Sequence, residues 1–126
     1  MIPNQWYAIL DSREVKRNKP LGVRRLGENL VLWRNSAGEV AFLRDQCLHR
    51  GAALSAGKLI DHQIQCPFHG LEFDASGRCT YIPAYGRNNP IPKVFQTRSY
   101  PARDAFGFIW IWWGELQDEF LYRPVS

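Results

Sequence analysis

The sequence predicts an all-β domain built from small antiparallel sheets. Three observations carry that prediction. Short runs of β-forming residues recur along the chain, separated by Gly, Pro, Asn and Ser. No apolar pattern sustains the 3.6-residue period of an amphipathic helix. Pairs of neighbouring runs are joined by hairpin-type turn residues.

The first run, QWYAIL (5–10), opens the fold. Asp11 or Ser12 can cap a short helical turn over 11–16, because their side chains accept from backbone amides that a helix start leaves unpaired. LGVRRLG (21–27) and NLVLWR (29–34) flank Gly27-Glu28, which predicts a tight hairpin. EVAFLRD (39–45) follows the turn NSAG (35–38). HQIQC (62–66) is a further strand. LEFD (71–74) and RCTYI (78–82) flank Ala75-Ser76-Gly77, a second hairpin signal. PAYGRNNPIP (83–92) holds three prolines and a glycine, so it reads as an extended loop. VFQTRSY (94–100) and FGFIWIWWG (106–114) are expected as the last two strands. In the final one, Phe106, Phe108, Trp110 and Trp112 alternate with Ile109, Ile111 and Trp113. That pattern predicts a central strand covered on both faces; the alternative is an aromatic face packed on a further domain or a partner.

The 126 residues match one domain, taken as 1–126. Hydrophobic residues make up 45% and aromatics 13%, which excludes a disordered chain. The longest apolar run, 106–113, is too short to span a bilayer, so no membrane is expected. The N-terminus MIPNQWYAIL lacks the cationic region of a secretory signal, and the expected location is the cytoplasm or an equivalent reducing compartment. Net charge is +4. Much of the excess sits in Arg13, Lys16, Arg17, Lys19, Arg24 and Arg25. These read as a solvated surface, with a steering patch for an acidic electron carrier as the alternative. No aromatics are interleaved for base stacking, so nucleic acid is not expected.

The chemistry lies in CLHRGAALSAGKLIDHQIQCPFHG (47–70). Cys47-x-His49 is followed by sixteen residues and then Cys66-x2-His69. Each pair is followed closely by glycine, which lets a loop turn tightly. Two metal groups accept two thiolates and two imidazoles. Zinc takes them in one tetrahedron. A Rieske [2Fe–2S] cluster takes two Cys on one iron and two His on the other. Zinc modules usually pair Cys with Cys and His with His. Here each loop supplies one of each, as a dinuclear group requires, so the spacing favours the cluster over a structural zinc module. The binding subregion is about 43–83. Cys79 falls outside the motif and is expected as a reduced thiol. His62 is expected as a solvated turn residue.

CLHRGAAL, CPFHGLEFDASG and the closing FIWIWWGE resemble the Rieske domain of Rieske non-heme iron (ring-hydroxylating) oxygenases, over nearly the whole chain. The resemblance implies one Rieske-type [2Fe–2S] cluster per chain, with Cys47 and Cys66 on one iron and His49 and His69 on the other. It implies three small antiparallel sheets with the cluster at the tip of two loops. Arg50 matches the arginine that commonly follows the first histidine, either as a surface charge or as a partner contact. The Rieske proteins of cytochrome bc complexes carry an extra cysteine in each loop, joined as a disulfide. Here Phe68 stands between Pro67 and His69, and HRGAALS has no cysteine. Those proteins also place a serine and a tyrosine where this chain has Leu71 and Phe73. Without those hydroxyls the expected potential is near the bottom of the Rieske range, roughly −150 mV.

One-electron transfer is the function this implies, as the N-terminal domain of a non-heme iron oxygenase. The partners implied are an electron-donor reductase or ferredoxin, and a mononuclear-iron oxygenase domain elsewhere. That iron needs two histidines and a carboxylate. The chain has three histidines, two are assigned to the cluster, and His62 alone cannot complete the set. The alternative is a stand-alone Rieske ferredoxin.

Overall fold

The computed structural model describes residues 4–35, 37–47, 53–86 and 89–114. Motif residues His49, Arg50 and Gly51 lie outside the described residues, as do Ser36, Arg87, Asn88 and Glu115 of the segments named above. The described residues form ten strands, short 3₁₀ turns and loops, and the all-β expectation holds. None of their helices is long and apolar enough to cross a membrane.

The strands are β1 (Gln5–Asp11), β2 (Leu21–Arg25), β3 (Glu28–Arg34), β4 (Val40–Arg44), β5 (Lys58–Ile60), β6 (Gln63–Gln65), β7 (Glu72–Phe73), β8 (Cys79–Tyr81), β9 (Ala102–Ala105) and β10 (Phe108–Trp113). They make three antiparallel sheets, ordered β1-β10-β9, β2-β3-β4 and β5-β6-β7-β8.

The middle sheet separates two cores. Side chains alternate across a strand, so Val31 and Trp33 of β3 enter one core while Leu30 and Leu32 enter the other. On β4, Ala41 and Leu43 join the first and Phe42 the second. The first core is shared with the four-stranded sheet through Ile64, Phe73 and Cys79. The second is closed by Ile109 and Ile111 of β10, both fully buried. Each such aliphatic side chain contributes roughly 1.5–3 kcal/mol by leaving water.

The capped turn after β1 forms as read. Asp11 accepts from the Arg13 amide at 2.8 Å, and the Glu14 carboxylate accepts from the Asp11 amide at 3.1 Å. Arg34 then binds this turn to the rest. Its guanidinium donates to Val15 O, Gly38 O, Ser12 O, Ser12 Oγ and Asp104 Oδ2, at 2.7–2.9 Å.

Several expectations need correction. Residues 94–100 are not a strand; only isolated bridges, Arg78 to Gln96 and Leu43 to Ser99, involve them. The segment divides its hydrogen bonds between two sheets. Phe95 O accepts from Cys79, and Arg98 O accepts from Arg44. It is a strap across the first core, not a member of either ladder. Phe106 is not on a strand face. It and Gly107 form a turn with φ of 57° and 79°, and its ring is exposed. The first hairpin turns at Leu26-Gly27 (φ 55° and 76°), one residue earlier than expected, and Glu28 opens β3. Strands β5 and β9 were not expected.

β10 is central, as expected, between β1 and β9. Its aromatic face is covered unevenly. Trp112 is buried with Trp6 edge-on at 5.8 Å, whereas Phe108 is exposed.

Candidate metal centre

The first cysteine follows the end of β4. There the Asp45 amide donates to Asn29 O at 2.8 Å, and Thr97 Oγ1 donates to Gln46 O at 3.3 Å. These bonds fix the chain just before Cys47, which is 1% exposed. The second cysteine follows β6. Its amide donates to Leu71 O at 2.7 Å, and its carbonyl accepts from the Gly70 amide at 3.2 Å. That closes a tight loop over 66–71. Gly70 has φ of +72°, a conformation side chains disfavour, and a Cβ there would meet Pro83 Cγ at 3.2 Å.

Cys47 and Cys66 are brought into one buried cluster with Leu54, Ile64, Leu71, Phe73 and Ile82. Cys66 is 2% exposed. The loop between Cys66 and Gly70 turns outward instead, and Phe68 and His69 are both exposed. His69 lines a groove of ≈ 480 Å³ with Leu71, Ile82, Pro83, Tyr85 and Phe95. Three of the four motif donors are therefore described: two thiols turned into an apolar core, and one imidazole on its outer rim. His49, the fourth, lies outside the described residues. Among the described residues, no three His, Cys, Asp or Glu side chains converge on one point.

The residues set aside from the motif behave as read. His62 is exposed in the β5–β6 turn, with φ of 66°, and its carbonyl accepts from Trp33 Nε1 at 2.8 Å. Cys79 is a buried thiol whose Sγ lies 3.5 Å from Tyr81 O. Burial pushes its pKa up, so it stays protonated at neutral pH.

Two residues that the sequence reading passed over tie together the chain on either side of 48–52. The Asp45 carboxylate accepts from the Ser55 amide at 2.7 Å and from Ser55 Oγ at 2.5 Å. Gly57 follows. A Cβ there would lie 1.8 Å from Gln65 O, so this end of the first loop rests directly on the strand leading to Cys66.

The profile of the Rieske [2Fe-2S] domain family matches residues 5–101. The chain is 42% identical over 114 residues to the oxygenase component of dicamba O-demethylase from Stenotrophomonas maltophilia, which covers 90% of this chain and 33% of that protein. A crystal structure of apo dicamba monooxygenase matches with a TM-score of 0.82 at 42% identity, over 96% of this chain and 36% of that one. The reduced complex between oxygenase and ferredoxin in carbazole 1,9a-dioxygenase matches with a TM-score of 0.78 at 28% identity, over 91% of this chain and 30% of that one. The chain thus spans about a third of the length of these relatives.

Proposed function

The chain belongs to the Rieske [2Fe-2S] domain family, and from that premise we propose that it passes single electrons through a Rieske-type cluster as the electron-transfer domain of a non-heme iron oxygenase. One observation carries the reading: two thiols face a shared apolar core while the imidazole of His69 stands on the exposed rim. That division fits a group with a sulfur-bound inner end and an imidazole-bound outer end. Cys47 and Cys66 would hold one iron, and His49 and His69 the other.

When bound, the cluster supplies one-electron chemistry: it is neutral when oxidised, with two ferric ions, two sulfides, two thiolates and two neutral imidazoles, and singly negative when reduced. The protein's part is the environment. Leu54, Ile64, Leu71, Phe73 and Ile82 exclude water from the thiolate end. A low-polarity shell stabilises the neutral state over the charged one. Leu71 and Phe73 offer no hydroxyl to stabilise the reduced form, which supports a potential of roughly −150 mV, the bottom of the Rieske range. The exposed loop with Phe68 and His69 leaves the imidazole end open to a partner surface.

The donor is a reductase or ferredoxin, and the acceptor is a mononuclear-iron oxygenase domain. The 42% identity to an oxygenase component supports the oxygenase setting over a free-standing ferredoxin. Reading the gene beyond Ser126 tests that choice; a downstream set of two histidines and a carboxylate is expected.

The test of the cluster itself is iron and acid-labile sulfide analysis of anaerobically purified chain, with EPR after dithionite reduction. About two irons and two sulfides are expected. Colourless protein with zinc and no sulfide would overturn the proposal. His69→Cys should move the potential towards the roughly −400 mV of all-cysteine ferredoxins.

A further inference from the structure

We propose that Asp45 and Ser55 are positioning residues that hold the first ligand loop in register for the cluster. The inference rests on the reading above. It concerns residues outside the Cys-His motif.

Asp45 stands two residues before Cys47, and Ser55 lies six beyond His49 in the sequence. Both carboxylate oxygens are used, one by the Ser55 amide and one by its hydroxyl. Such a two-point bond fixes orientation as well as distance, and a charged acceptor makes each bond stronger than a neutral pair. The clasp also has a floor. Gly22 of β2 lies beneath it, where a Cβ would meet Ser55 Oγ at 2.6 Å, Ser55 Cβ at 2.8 Å and Asp45 Oδ2 at 3.2 Å. The φ of Gly22 lies outside the left-handed region, so close approach is the reason for glycine here. Asp45 is held on its other side by its amide bond to Asn29 O. The two ends of the loop are thereby locked to the β2–β3 hairpin. Fixing Asp45 and Ser55 to each other lowers the ordering cost of binding a group between them.

Three variants test this: Ser55→Ala, which removes the hydroxyl; Gly22→Ala, which wedges the clasp from below while leaving Asp45 and Ser55 intact; and Asp45→Asn, which keeps an acceptor for the Ser55 amide and a donor for the hydroxyl. The readouts are the rate of iron loss to a chelator and the EPR g values of the reduced cluster, beside the thermal midpoint of the metal-free chain. A hydrogen bond to a charged group contributes enough to change the rate of iron loss about tenfold. Ser55→Ala and Gly22→Ala should both show that acceleration, with shifted g values, and Asp45→Asn, which leaves only neutral bonds, should show a smaller acceleration in the same direction. Wild-type iron loss and g values in a folded Ser55→Ala would overturn the inference, as would a fall in thermal midpoint alone. If Ser55→Ala and Gly22→Ala both fail to fold, Asp45→Asn decides: faster iron loss with shifted g values supports the inference, and wild-type iron loss and g values overturn it. A wild-type chain that holds no [2Fe–2S] group overturns the Rieske reading and this inference together.

Discussion

Gly57→Ala should loosen the joint between the two ligand loops. The backbone at Gly57 has φ of −87° and ψ of −154°, so left-handed strain is not the issue. Space is. The added Cβ would sit 1.8 Å from Gln65 O, 3.0 Å from Gln65 C and 3.2 Å from Leu54 O. Real Cβ contacts do not fall below 3.0 Å, so the chain must open by 3.0 − 1.8 = 1.2 Å. The obstacle is a carbonyl and cannot rotate away. Gln65 is paired to Lys58 on one side and Glu72 on the other, so the shift is resisted by both ladders and transmitted to Cys66. Overpacking of this kind costs about 1–3 kcal/mol, and a rigid backbone neighbour puts it at the upper end, ~3 kcal/mol. Urea unfolding of the metal-free chain measures it. With a slope of about 1–3 kcal/mol/M, the midpoint should fall by 1 M or more. Iron retention should fall as well. Gly86→Ala serves as a control, because nothing lies within 4 Å of a Cβ there. Its φ of 74° and ψ of 171° are a backbone conformation that only glycine adopts readily, so it should lose about 1–3 kcal/mol yet keep its iron. A Gly57→Ala chain with wild-type midpoint and iron content would refute the reasoning.

Leu71→Ser would place a hydroxyl in the shell beside Cys66, and by protein-film voltammetry should raise the potential by roughly 65–130 mV, the one-electron equivalent of a hydrogen bond to a charged group. An unchanged or lower potential would contradict the account of the apolar shell. Arg34→Ala removes five hydrogen bonds from a guanidinium that is 12% exposed, and should cost about 3 kcal/mol in chemical unfolding. The carboxyl of Asp11 is lowered to about 2 by its side-chain hydrogen bond from Arg13, then by the Arg13 amide. Its capping contribution is present above the ordinary value of 3.8 and is lost as pH falls through about 2. NMR titration of Arg13→Ala should show Asp11 moving back up towards 3.8.

The strands that were legible are those whose own residues alternate or are strongly β-forming: QWYAIL, NLVLWR, VAFLR and FIWIWW. β9 was missed because Ala-Arg-Asp-Ala carries no apolar alternation, and it is a strand only because β10 supplies the ladder. β5 was missed because its three residues sit within the loop between the two ligand pairs. Residues 94–100 misled in the opposite direction. Their β-forming content is real, but their hydrogen bonds go to two sheets at once. At the site, spacing alone singled out Cys66 and His69. It could not show that the thiol turns inward and the imidazole outward, since that depends on the 66–71 turn and on the core beneath it. The bond from Asp45 to Ser55 spans ten residues and obeys no local period, so no pattern along the chain marks it.

The sheet that closes the fold pairs β1, near the start of the chain, with β10, some hundred residues later. The four-stranded sheet is a simple meander finished at Tyr81. On a ribosome these milestones come in a fixed sequence. The segment from Tyr81 to Phe108 takes roughly one to five seconds to synthesise at about 5–20 residues per second. During that interval both motif cysteines, Cys47 and Cys66, have been made, while β1 still lacks its neighbour. The four-stranded sheet can therefore pair before the β1-β10-β9 sheet closes, and a nascent chain that has released residue 81 but not residue 108 from the ribosome is the species on which to look for it.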